Sequence, residues 1–190
     1  MLIVALIAFT SNLNAQLCPE NIDFENNNFN NWKIYSGSIS TTSLNLNDIP
    51  QPIFGRHNII SDKNAIDPYG QFAIVPQNAG NCIVKLGNNG TGAQAEGVSY
   101  LVNVPANRPE FTLTYQYAVV LDDPDHHEIE QPRFIARVKD VKTNEYISCA
   151  SYEYIATANL PGFKKSNTNS IVIYKEWTLV TINLSGYQGK

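Results

Sequence analysis

Charge is scarce in this chain. Asp, Glu, Lys and Arg make up 16% of its 190 residues, and the net charge is −4, with an isoelectric point near 5.3. A chain so poor in Lys and Arg offers phosphate backbones no basic stripe, which excludes general electrostatic binding of nucleic acid and disfavours an anionic membrane surface. Cysteine is sparser still: Cys18, Cys82 and Cys149 are the only three, none at CxxC-type spacing, so a zinc site has no support. Amphipathic helical patterns are lacking, and without crossover helices a parallel α/β sheet is excluded. Catalytic motifs are lacking too. No Ser/His/Asp or Cys/His arrangement stands out, and Gly87-Asn88-Asn89-Gly90 has no strand-to-helix context for holding phosphate. The expectation is a protein that is not an enzyme.

What is present is apolar and aromatic content, with 43% hydrophobic residues, enough for one domain with a real core. Met1 to Phe9 is an apolar run too short to span a bilayer. A polar stretch follows, ending in Leu13-Asn14-Ala15-Gln16, and together these resemble a secretory signal peptide over residues 1–15. No Lys or Arg precedes the run, so the expectation is a start that is incomplete or lies upstream of Met1. Cys18 is not read as a lipid anchor, because Ala15-Gln16-Leu17 lacks the small residues of lipoprotein processing. Three cysteines in an exported chain leave at least one thiol free or its partner outside the sequence.

The remainder reads as short strands. The clearest is Phe111 to Leu121, where Phe111, Leu113, Tyr115, Tyr117, Val119 and Leu121 share one face while Thr112, Thr114 and Gln116 share the other. Gln71 to Val75, Cys82 to Leu86, Glu96 to Val104, Arg133 to Lys139, Glu145 to Ile155, Ser170 to Tyr174 and Thr178 to Leu184 are further candidates. Clusters of Gly, Pro, Asn and Asp separate them, and Asn47 to Pro52 and Pro161 to Asn169 read as longer loops. This spacing favours an all-β antiparallel sandwich. Turn residues directly after the last strand predict a domain, residues 16–190, cut before its final strands.

Two segments carry a family resemblance. Cys18-Pro19-Glu20-Asn21-Ile22-Asp23-Phe24-Glu25, running through Phe29 to Trp32, resembles the opening of jelly-roll modules, including carbohydrate-binding modules and MAM adhesion domains. The second is an ordered series: Gly55-Arg56-His57, Asp67-Pro68, Leu86-Gly87-Asn88, Gly92 to Glu96, Tyr117 to Leu121, Asp123-Pro124, Glu130 to Phe134, Trp177-Thr178 and Asn183-Leu184-Ser185. It resembles the N-terminal jelly-roll domain of large secreted Bacteroidota surface proteins that often carry PKD repeats and gliding-motility-type sorting domains. The resemblance implies a jelly-roll fold and a secreted or cell-surface location. It also implies an interaction module of a larger protein, working in adhesion or polymer recognition. A carbohydrate-binding module attached to a downstream hydrolase is the second reading. The implied partners are extracellular polysaccharide or a surface protein, with no membrane insertion of the mature domain.

In jelly-roll modules the opening carboxylate often helps hold a structural calcium, and Glu25, with Asp23 nearby, matches that position. Calcium takes about six to eight oxygens, and a closing-strand contributor is missing. Asp122 to Glu130 places five carboxylates and two imidazoles within nine residues, but at neither EF-hand nor zinc-protease spacing; it reads as a solvated loop. For sugar stacking the aromatic inventory is Trp32, Tyr115, Tyr117, Tyr152, Tyr154 and Trp177. Tyr115 and Tyr117 share an apolar face and read as core. Tyr152 and Tyr154 alternate with Ser151 and Glu153, which leaves their facing open and makes them the candidate ligand-binding pair. Arg133 is expected to pair with Glu96 or Glu153 across a sheet face.

Overall fold

A computed structural model describes residues 18–40, 43–157 and 159–190. The expected signal-peptide segment therefore lies outside the described residues. Among the described residues twelve strands follow in order: β1 Trp32–Ile39, β2 Leu44–Ile49, β3 His57–Ile60, β4 Ile83–Leu86, β5 Gln94–Tyr100, β6 Thr112–Asp122, β7 Arg133–Ala136, β8 Lys139–Asp140, β9 Glu145–Tyr146, β10 Tyr152–Ile155, β11 Lys164–Lys165 and β12 Val172–Asn183. Among the described residues the helical elements are two short 3-10 turns, Glu128–Glu130 and Ser148–Ala150. The strands form antiparallel sheets in the orders β2-β1-β5, β3-β4, β11-β12-β6, β7-β10 and β8-β9. The protein is all-β, as its alternating runs predict, and the arrangement is consistent with a β-sandwich.

The core lies under β6 and β12. Val104, Phe111, Tyr117, Val119, Ala150, Val180, Ile182 and Leu184 form one buried cluster, with Phe134, Tyr154 and Phe163 packed against it. The period-two pattern of β6 explains its half, since the residues on the inward face alternate with exposed Thr112 and Thr114. β12 is less regular. Its register against β6 shifts between Lys175 and Thr178, where Glu176 and Trp177 oppose the single residue Ala118, a β-bulge. Ser170 to Tyr174 and Thr178 to Leu184, which read as two strands, are for this reason one long strand with its alternation interrupted.

Beyond the bulge Thr178, Val180 and Ile182 pair with Tyr117, Tyr115 and Leu113 on the core side. Trp177 serves a different contact: its indole N–H donates to Ala73 O at 2.8 Å. Phe72 and Tyr174 stack beside it at 6.1 Å. Gln71 to Val75, expected as a strand, is instead a turn followed by one bridge between Ile66 and Ala73. The cause is Asp67, whose Oδ1 accepts the N–H groups of Tyr69 at 3.0 Å and Gly70 at 2.7 Å and curls the chain.

Asn47 to Pro52, expected as a loop, begins inside β2. The Leu-Asn-Leu-Asn run carries little intrinsic strand signal, but β1 supplies a backbone ladder from Ile34↔Ile49 to Ile39↔Leu44 that holds it. Arg56 and His57 then tie the β3-β4 pair to this sheet. Arg56 pairs with Glu96 and donates to Ala95 O at 3.2 Å. His57 is buried, with Nε2 at 2.9 Å from Tyr35 O and Nδ1 at 3.3 Å from the N–H of Ile53. The amide N–H must donate, so Nδ1 accepts and Nε2 carries the proton.

Candidate functional site

The opening motif resolves into a small aromatic anchor with a carboxylate projecting from it. Phe24 is buried and stacks on Trp32 at 4.2 Å between centroids, with Phe29 edge-on to Phe24 at 5.9 Å and Tyr100 edge-on to Trp32 at 5.1 Å. Asn21 fastens the loop: its Nδ2 donates to Asn30 O at 2.8 Å, its Oδ1 accepts the Asn26 N–H at 3.1 Å, and its carbonyl accepts the Trp32 indole N–H at 2.8 Å. Phe24 holds a left-handed backbone, φ 62°, unfavourable for a residue with a bulky side chain. Ring stacking offsets that strain and turns Glu25 toward residues 79–82.

Glu25 accepts hydrogen bonds from the Asn81 N–H, from Asn81 Nδ2 at 3.0 Å and from the Cys82 N–H at 2.9 Å. The Cys82 N–H is the foremost cause that holds its carboxyl below the usual carboxylate range; burial opposes it, and the Asn81 donors and the Lys63 charge add to it. Burial, followed by the Glu25 and Asp23 charges, pushes the Cys82 thiol up. Lys63 Nζ donates to the carbonyls of Gly80 and Ala79. Gly80 passes so close that a Cβ there would overlap Glu25 Oε1. Asp23 accepts the Glu25 N–H at 3.2 Å.

The donor chemistry around Glu25 bears on calcium. Calcium needs about six to eight oxygens. Here the carboxylate faces N–H groups, and an ammonium takes the adjacent carbonyls. The residues present therefore do not fit that ion. Among the described residues, no group of three or more His, Cys, Asp or Glu side chains stands ready to hold a metal. All three cysteines are free.

The tyrosines sit where the β7-β10 pair meets β6. Tyr154 pairs with Phe134 across the ribbon and Tyr152 with Ala136, so both tyrosines share its face toward β6. Tyr154 is tied into the core: its hydroxyl lies 2.7 Å from that of Tyr117, and its ring stacks on Phe134 at 6.2 Å and meets Phe163 edge-on at 5.3 Å. Tyr152 is freer, with one long hydrogen bond, 3.4 Å, from its hydroxyl to Cys149 O. Tyr117 is buried, as its alternation predicts, and Tyr115 is half-buried. Burial, first, and the neighbouring tyrosines raise the pKa of both hydroxyls. The cluster is thus a set of rings edged with hydroxyl groups. Both tryptophans are structural, each with its indole N–H bound to a backbone carbonyl.

The opposite face of the same ribbon carries Arg133, Glu153 and Ile155. Arg133 pairs with Glu153 at 3.1 Å, as one of its two expected partners, and Arg137 with Glu153 at 3.4 Å; Glu96 belongs to Arg56. Here the acidic segment folds over, bounded by the N–H of Asp123 donating to Ile171 O at 2.6 Å and by the Glu128–Glu130 turn. It encloses an open cleft of about 470 Å³ whose lining includes Asp123, Asp125, Gln131, Glu153, Ile155 and Leu160. Gln131, to which the sequence reading gave no role, is 5% exposed. Its Nε2 donates to Asp123 Oδ1 at 2.9 Å. The only signal for it in the chain is its place between an acidic run and Pro132 at a strand start.

Comparison with known proteins gives no family model that matches the chain, no significant match among curated proteins and none among solved structures.

Proposed function

We propose that this chain is a non-enzymatic jelly-roll recognition module that acts outside the cell, secreted or displayed at the surface, and engages an extracellular polysaccharide. The observation that carries the reading is the set of half-buried rings Tyr115, Tyr152, Tyr154 and Phe163 beside the buried Tyr117. Rings with polar edges suit a pyranose, which lays its C–H face on an aromatic surface while its hydroxyls keep hydrogen bonds. The hydroxyl edges of the tyrosines can both donate and accept hydrogen bonds. Low charge also suits an uncharged polymer better than an ionic one.

Retention on a panel of insoluble polysaccharides tests the reading, with Tyr152→Ala as the variant because Tyr154 is bound into the core. Wild type should be retained on at least one polymer, and Tyr152→Ala should weaken retention about tenfold, the loss of one stacking contact, without a large fall in melting temperature. No retention on any polymer, or full retention by Tyr152→Ala, overturns it.

A further inference from the structure

We infer that the cleft between the acidic segment and the β7-β10 ribbon is a second binding site, and that it takes one or two sugar residues of a neutral saccharide. The inference rests on the polysaccharide reading for its ligand class, but the residues are different and lie on the other face of the ribbon. The observation behind it is an unmet polar group in a buried setting. Gln131 lines the cleft and is 95% withdrawn from solvent, being 5% exposed. Its Nε2 is fixed on Asp123, which must accept, so the amide orientation is settled and Oε1 points away from Asp123. That Oε1 is buried and has no hydrogen-bond partner. A buried acceptor left this way destabilises the fold until a donor reaches it.

Two residues on, Arg133 Nε is a buried donor without a partner, although its NH1 and NH2 groups are taken by Glu153, Glu128 O and Ile129 O. Gln131 thus brings an unmet acceptor to the cleft lining, and an unmet donor lies two residues along the chain. A hydroxyl can serve either of them, because it donates and accepts. The remaining walls fit the same ligand. Asp125 and Asp123 offer acceptors for further hydroxyls, while Ile155 and Leu160 give apolar surface for C–H groups. Glu153 is already paired with two arginines, so part of the negative charge that lines the cleft is neutralised within the protein. A volume of about 470 Å³ is of the size that holds a small ligand rather than a polymer chain.

The test uses the whole chain and short soluble probes: gluco-, manno- and galacto-disaccharides, with chitosan oligomers and polylysine as amine controls. Binding is followed by calorimetry and by NMR of the side-chain amide of Gln131. At least one disaccharide should bind wild type and shift that amide. Gln131→Met should weaken binding about tenfold, and Asp125→Asn should weaken it by a smaller factor. Tyr152→Ala should leave disaccharide affinity unchanged while reducing retention on polymer. Should Gln131→Met fail to fold, the wild-type amide shift still decides. The inference is overturned if no disaccharide binds, if the Gln131 amide is unmoved by a bound one, or if binding is confined to the amine probes and vanishes with salt. Disaccharide binding lost in Tyr152→Ala but kept in Gln131→Met sinks the cleft and spares the tyrosine reading; full polymer retention by Tyr152→Ala, with disaccharide binding lost in Gln131→Met, sinks the tyrosine reading and spares the cleft.

Discussion

Replacing Gly80 by Ala should destabilise the protein, and the same replacement should stabilise it once Glu25 has been shortened. Gly80 has no positive φ that would demand glycine; it is required because the Glu25 carboxylate lies against its Cα. A methyl group there displaces a flexible side-chain end, so the steric cost is small and the real loss is the clamp. Three hydrogen bonds from Asn81 and Cys82 go with it. A buried bond to a charged group is worth about 1.5–3 kcal/mol. Glu25 is only partly buried, and with solvent screening the set amounts to about 1–2 kcal/mol in total. At about 2–4 °C per kcal/mol for a domain of this size, Gly80→Ala should lower the melting temperature by about 2–8 °C. In a Glu25→Ala background the methyl has room, and the lower chain entropy of the unfolded state should raise stability by about 0.4–1 kcal/mol. Thermal melts of the two single variants and the double variant give the cycle. An equal loss from Gly80→Ala in both backgrounds would refute the reasoning.

The depressed pKa of Glu25 gives a pH dependence of known sign. Its contribution is complete above the ordinary value of 4.5 and is lost as the pH falls through the lower folded value. Wild type should therefore lose more melting temperature than Glu25→Gln between neutral pH and pH of about 3, and parallel curves would contradict this. The slope left in the variant belongs in part to Asp140, also lowered, chiefly by the Lys190 hydrogen bond. In the same melts EDTA should have no effect, and a drop that added calcium restores would mean that the Lys63 ammonium is not the resident cation. For the bulge, Trp177→Phe removes the bond to Ala73 O and should cost about 1–2 kcal/mol in urea unfolding; an unchanged midpoint would place that hydrogen bond outside the stability of the fold.

What the sequence revealed followed from how strongly each element's own residues determine it. β6 is a long, clean alternation with one buried face, so its limits and its inward set were legible. β1 and β2 were not, because Ser36-Gly37-Ser38 and the Asn-bearing β2 gain strand structure from pairing with each other rather than from side-chain preference. Glu145 to Ile155 looked continuous in composition, but the 3-10 turn at Ser148–Ala150 breaks it into β9 and β10. At the sites, Glu25 was visible as an opening carboxylate, whereas its partners are backbone N–H groups 56 and 57 residues away, which no local pattern records. Arg133 with Glu153 was within reach because both lie on recognisable strands. Gln131 was not, since its significance comes from burial and an unmatched atom, neither of which has a residue pattern.

The bulge in β12 also decides which hydrophobic side chains the protein can use. Continued without interruption, the pairing of Ile173 with Leu121 and Lys175 with Val119 would set Trp177 opposite Tyr117 and Leu179 opposite Tyr115. Leu179, 62% exposed, would then be driven inward, while Val180, Ile182 and Leu184 would be turned out into water. The strand carries two apolar stripes that are out of step, and a single unmatched residue reconciles them. Residues 176 and 177 are consequently where the two halves of the strand are brought into phase. Deleting either one would close the bulge into a regular ladder with Val180 and Ile182 still facing Tyr115 and Leu113, whereas running the strand straight with both kept would exchange the inside and outside of its second half.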